Sequence, residues 1–166
     1  MTVTMFADLL RIKKFREDAA YRGVKVAEAR LAERLKAVRD AEEAFASHHD
    51  FRITEEARLF QEIKGEPVHI SDLDKMKQAV GLLRDDELRL KEKIEEEQKT
   101  IPPAQEALKD AKTVHSKAIT ATEKFKQFVE MQREIEKKEE AFREDAEAEE
   151  VVESILGARA AAGARS

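Results

Sequence analysis

One periodicity constrains this chain more than any other feature. Between residues 73 and 129, apolar side chains recur in alternating steps of three and four. They define heptad a and d positions at Leu73, Met76, Val80, Leu83, Glu87, Leu90, Ile94, Glu97, Ile101, Ala104, Leu108, Ala111, His115, Ala118, Thr122, Phe125 and Val129. All but Glu87, Glu97, His115 and Thr122 are apolar, and the phase never slips. A 3.5-residue repeat held over about eight heptads implies a helix packed along its length against another helix. Composition agrees: the chain is 42% apolar and 40% charged with no Trp, the profile of long helices rather than of a compact mixed core.

The partner helix is upstream. From about Phe6 to Ile63 there is no Pro, one Gly (Gly23), and a helical recurrence of Leu9, Ile12, Ala20, Val24, Ala27, Leu31, Leu35, Val38, Phe45, Phe60 and Ile63. Lys64-Gly65-Glu66-Pro67 then stops the helix, since Gly suits a C-terminal cap and Pro cannot continue it. Ser71 reads as the next N-cap, with Asp74 standing in for the Glu of a capping box.

Pro102 and Pro103 interrupt the heptads, and two prolines ordinarily end a helix. Here the register is the same on both sides and both prolines fall at outward b and c positions, so the expectation is a kinked continuation, with a full break as the alternative. After Val129 the register fails. Ile135 and Phe142 shift to a neighbouring stripe, Val151, Val152, Ile155 and Leu156 form a terminal apolar cluster, and residues 157–166 read as a frayed tail.

The fold class expected is therefore all-α: a long antiparallel two-helix coiled-coil hairpin forming a single unit over 1–166, with its second helix longer and kinked at Pro102-Pro103. Helix one spans about 6–63, the turn 64–71 and helix two about 72–156. If Ile63 faces Leu73, Phe6 lies opposite about Glu130. At 1.5 Å per residue roughly 25 residues, or about 40 Å, of helix two then lack a partner in the chain.

Little in the sequence suggests catalysis. A two-helix hairpin offers almost no concave volume in which groups could converge away from water. His48 and His49 are adjacent and point about 100° apart on a helix, His69 lies in the turn and His115 at an a position, so all four read as surface or seam histidines rather than metal ligands. Glu55-Glu56 and Glu95-Glu96-Glu97 read as solvated faces. No catalytic residue, metal site or cofactor is expected.

The net charge of −5 argues against a nucleic-acid partner. The absence of Cys is compatible with the cytosol. No stretch approaches the roughly 20 apolar residues that span a bilayer, and the start lacks a secretory signal pattern, so the protein is expected to stay where it is made. The basic opening around Arg11, Lys13, Lys14 and Arg16, interleaved with Leu9, Leu10, Ile12 and Phe15, reads as one end of the seam plus a protein-binding surface. Leu82 beside Leu83, and Phe128 near Phe125, exceed what a two-stranded seam can bury.

Several segments resemble the YscO/FliJ family of type III secretion stalk proteins, and the likeness covers nearly the whole chain. Phe51-Arg52-Ile53-Thr54-Glu55-Glu56-Ala57-Arg58-Leu59-Phe60 is similar to the aromatic-Arg-Ile-x-Glu-Glu-x-Arg-Leu-Phe stretch that leads into the turn in the YscO branch. Leu10-Arg11-Ile12-Lys13-Lys14-Phe15-Arg16 resembles that branch's basic opening, and Lys124-Phe125-Lys126-Gln127-Phe128-Val129 with the acidic stretch after it resembles its C-terminal third. The double Pro departs from the FliJ pattern.

The resemblance implies a non-enzymatic, monomeric stalk and escort protein at the cytoplasmic face of the secretion apparatus, peripheral to the inner membrane only through its partners. Its paired terminal end would enter a hexameric secretion ATPase, as the γ stalk does in rotary ATP synthases. The turn end would face the export gate, and secretion chaperones and the needle-length regulator would bind as well. Leu9, Arg11, Ile12 and Phe15, with Val151, Val152, Ile155 and Leu156, become the ATPase-facing candidates. The flagellar branch's gate-contacting face falls best on Met76, Val80 and Leu83, which the heptads also place in the seam. The alternative is a structural scaffolding coiled coil, homodimeric through the surplus apolar stripe, with no ATPase partner.

Overall fold

The computed structural model describes residues 3–65 and 67–164, and among them it holds three helices and no strand: α1 (Val3–Ile63), α2 (Ile70–Gln98) and α3 (Ile101–Gly163). The fold is an antiparallel helical hairpin whose second arm, α2 with α3, is the longer. Gly65 closes α1 with φ at 89°, a left-handed conformation that L side chains rarely adopt, and Lys64 N donates to Gln61 O to tighten the last turn. The next helix starts earlier than the sequence suggests. His69, extended at φ −73° and ψ 150°, is the N-cap, and its carbonyl accepts from Asp72 N and Leu73 N. Ser71, read as the cap, is inside the helix, so the turn occupies 64–69 rather than 64–71. Ser71 is the second residue of the helix, past the cap position, and His69 supplies no side-chain cap hydrogen bond in its place.

The double proline loosens the second arm without unwinding it. Lys99 keeps helical dihedrals (φ −65°, ψ −19°), and Lys99 N still reaches Glu95 O at 3.2 Å. Thr100 tightens to a three-residue step, with both its N (3.1 Å) and Oγ1 (2.6 Å) on Glu97 O. Pro102 and Pro103 then fall in the first turn of α3, where the missing N–H groups would lack intrahelical partners in any case. Both prolines are exposed, while Ile101 and Ala104 on either side stay in the seam.

Burial follows the heptads closely. Of the a and d positions from Leu73 to Val129, Leu73 alone is exposed, and the other sixteen are buried or half-buried. The four polar ones are accommodated by four different means. Glu87 is ion-paired across the seam, Glu97 pairs with Lys93 at 3.1 Å, His115 lies 5.6 Å from the Tyr21 ring, and Thr122, 1% exposed, donates its hydroxyl to Ala118 O at 3.0 Å. A hydroxyl that bonds within its own helix leaves no buried polar group unpaired, so it fits an apolar seam.

The inward face of α1 carries its own heptads: Leu10, Lys13, Glu17, Ala20, Val24, Ala27, Leu31, Val38, Ala41, Phe45, His48, Arg52, Glu55 and Leu59 are buried or half-buried in alternating steps of three and four, broken only at exposed Arg34. Ile12, Leu35 and Phe60, read as seam residues from hydrophobicity alone, are exposed. They flank the seam; beside Ile12 the inward places go to Lys13 and Glu17, long polar side chains that can bury their stems, and beside Phe60 to Leu59. The last helix also runs further than expected. It continues through 157–163, where the Ala-rich sequence favours helix, so the frayed reading gives way there to a helix ending at Gly163; residues 165–166 of that expected tail lie outside the described residues.

Packing divides the chain into two compact units, residues 19–115 and residues 1–18 with 116–166. The first holds the turn and the proline junction; the second holds the start of α1 and most of α3.

Candidate protein-docking surfaces

In the unit formed by residues 1–18 and 116–166, Phe6 closes the seam. It is 7% exposed, with the Phe128 ring edge-on at 5.7 Å, the Phe125 ring tilted at 6.3 Å and Val129 in the wall beside it. Lys13 Nζ lies 5.5 Å from the Phe125 ring centre, a cation–π contact that keeps the basic opening against the aromatic pair. The expected register, with Phe6 opposite about Glu130, is therefore met to within a helical turn.

Beyond Val129 packing ends. Gln132 is half-buried, and every other described side chain from Glu130 to Ala164 is exposed. Met131, Ile135, Phe142 (76% exposed), Val151, Val152, Ile155 and Leu156 are thus exposed apolar groups that no other described residue covers. From Glu144 to Leu156 this helix carries Glu144, Asp145, Glu147, Glu149, Glu150 and Glu153 and no basic residue.

The predicted ATPase-facing residues fall into two sets that the structure does not bring together. Leu9 turns into the seam, whereas Arg11, Ile12 and Phe15 face outward, with Arg11 Nη1 3.8 Å from Asp8. Val151 lies 22 residues past Val129, about 33 Å further along α3. Sequence reasoning missed Phe6 as the closing residue and Lys13 as the cation over Phe125. The signal was present in the joint position of Phe6, Phe125 and Phe128 once the two arms are placed in register.

In the unit spanning 19–115, Met76, Val80 and Leu83, the gate candidates, are half-buried in the seam, and the apolar groups that face outward nearby are Phe60, Leu73 and Leu82. Behind them a polar layer crosses the hairpin. His49 Nδ1 and Arg52 Nε both reach the Glu87 carboxylate, Arg52 at 2.5 Å; Arg52 Nη1 and Arg84 Nε both reach Glu56 Oε1 at 3.1 Å. His48 Nε2 lies 2.9 Å from Leu83 O. A carbonyl and an ionised carboxylate only accept, so His48 Nε2 and His49 Nδ1 carry the protons. The hydrogen bond from His49, aided by Arg52, holds the Glu87 carboxyl below its usual range, and Arg84 with Arg52 does the same for Glu56. Opposite charges in a seam specify which residues face each other, because a slipped register would leave them unpaired.

Among the described residues no set of three or more His, Asp or Glu is grouped to hold a metal ion, and no helix is long and apolar enough to cross a membrane. What the structure offers is exposed apolar surface on charged helices, and its class is that of the coiled-coil helical hairpins. The chain belongs to the YscO family of type III secretion proteins, whose family model matches residues 6–154. It is also similar to the crystal structure of the type III secretion protein YscO from Vibrio parahaemolyticus, at 31% identity and a TM-score of 0.79 over 89% of this chain and 92% of that one. No curated protein sequence matches it. The protein is accordingly a component of a type III secretion system with partners in that apparatus.

Proposed function

We propose that this protein is the non-enzymatic stalk of the secretion ATPase. It inserts the unit formed by the start of α1 and the end of α3 into the central opening of the ATPase hexamer and couples the ring to the export gate. The observation that supports this reading is the helix from Glu130 to Gly163, which holds Ile135, Phe142, Val151, Val152, Ile155 and Leu156 out in solvent with nothing among the described residues to cover them. Isolated helices are marginal in water, so such a segment gains order from a surrounding surface.

Arg11, Ile12 and Phe15 extend the same contact further along the unit. A single stalk inside a six-fold ring touches its subunits unequally. Those contacts bias subunit conformations only through differential affinity, and that bias raises the turnover of the ring. At the turn, the accessible edges of Met76, Val80 and Leu83, with exposed Leu73 and Leu82, form the patch assigned to the export gate. Chaperones and the needle-length regulator dock on the remaining exposed faces. This places the protein at the cytoplasmic face of the apparatus, held to the membrane through its partners.

The test is the ATP hydrolysis rate of the cognate ATPase with the full chain and with a chain ending at Glu130. Stimulation by the full chain that the shortened one loses is the expected result. Absence of both binding and stimulation would return the scaffold reading to first place.

A further inference from the structure

Where the heptads of α1 are interrupted at Arg34, the 19–115 unit carries an open groove of about 610 Å³. It is lined by small residues, Gly23, Ala104 and Ala107 among them, and by the cations Arg30, Arg34 and Lys99. Its origin is visible in the residues. The inward position that Arg34 should fill is exposed, and at the proline junction the opposing wall offers only small side chains. Gly23 adds to the open space, since a Cβ at this position would meet nothing within 4 Å. The three cations form no ion pair among the described residues, so the groove combines small apolar side chains with positive charge.

We propose that this groove binds the acidic C-terminal helix of a second copy of the same chain. Residues 144–156 have the complementary chemistry: six carboxylates and no basic residue, with small and branched apolar side chains at Ala148, Val152, Ile155 and Leu156, all exposed. The incoming helix supplies the side chains that the interrupted seam lacks, and its carboxylates meet Arg30, Arg34 and Lys99. The pairing occupies the segment offered to the ATPase, so self-association and ring entry compete, and free protein stores its apolar terminus until the ring is available. The proposal stands on the groove and its charge and is tested on the purified chain alone, so its failure leaves the ATPase reading untouched.

Because the natural chain has no Cys, single introduced thiols report the contact directly. Ala107→Cys and Val152→Cys chains, prepared separately and mixed under mild oxidation, should cross-link to each other in preference to themselves. Sedimentation over a concentration series should show mass rising from 18.9 kDa toward twice that value. Arg30→Glu with Arg34→Glu should weaken association by about tenfold, and reversing Glu149 and Glu150 to Lys in the other copy should restore it. A monomer at every concentration, or association indifferent to both charge reversals with no preference for the mixed cross-link over the two self-links, would overturn the proposal. Helix content measured on each variant separates loss of contact from loss of fold.

Discussion

Glu87 occupies a seam position that an apolar side chain would ordinarily fill, and it is tolerated because His49 and Arg52 converge on its carboxylate. Its proton affinity is depressed, as is that of Glu56 beside Arg84. A depressed carboxyl contributes stability that is complete above the unfolded value, near 4.5, and is lost as pH falls through the lower folded one. The thermal midpoint should therefore be flat above about pH 5 and drop below 4.5, and Glu87→Gln should flatten that acid limb while lowering the midpoint at neutral pH by a few degrees. An unchanged acid limb in the variant would show that Glu87 is not held by its partners. Phe6 makes a different kind of contribution. Removing its ring leaves Phe125 and Phe128 without a lid, and Phe6→Ala should cost about 2–3 kcal/mol in urea unfolding. That is below the range for a closed core, because the two remaining rings are part-exposed and can move into the gap.

At the scale of elements, the second arm was legible and the first only in part. Seventeen heptad positions from Leu73 to Val129 predicted sixteen covered side chains, because there the inward residues are nearly all apolar and hydrophobicity reports the register directly. In α1 the inward places at Lys13, Glu17, His48, Arg52 and Glu55 are polar, so a reading by hydrophobicity passed them over and took outward-facing Ile12 beside Lys13; Leu35 and Phe60, also outward, lie beside apolar inward residues that hydrophobicity alone does not tell from them. The polar layer could have been anticipated only by asking which groups on α1 stand opposite Glu87. The docking surfaces were legible as surplus, in Leu82, Phe128 and the apolar residues after Val129, but not the groove at Arg34, which depends on what is missing from a seam. The helices also leave room for improvement. Gly81 on α2 is half-buried, and a Cβ there would meet nothing within 4 Å. Gly81→Ala should thus raise unfolding stability by about 1 kcal/mol through helix propensity alone, read from a denaturant midpoint that moves without a change in slope.

For the molecule as a whole, folding and docking occupy different stretches of the same chain. Covered side chains end at Val129 and Gln132, and the α3 residues that follow are held by helix propensity and by exposed pairs such as Glu139 with Arg143 at 3.9 Å. Exposed pairs of this kind add little, so roughly the last 30 residues contribute almost nothing to the cooperative unit. At a concentration where the full protein is monomeric, a chain ending after Gln132 should therefore lose helical circular-dichroism signal in proportion to the residues removed, yet melt within about 2 °C of the full protein. If the midpoint instead falls steeply, the C-terminal helix packs somewhere in the folded protein and is not the free docking element inferred from its exposure. If the midpoint holds while ATPase stimulation disappears, the apolar side chains at Phe142, Val151, Val152, Ile155 and Leu156 serve contact with a partner. That outcome would also explain their persistence in solvent: a segment that contributes nothing to folding can keep an apolar surface for binding without destabilising the hairpin that carries it.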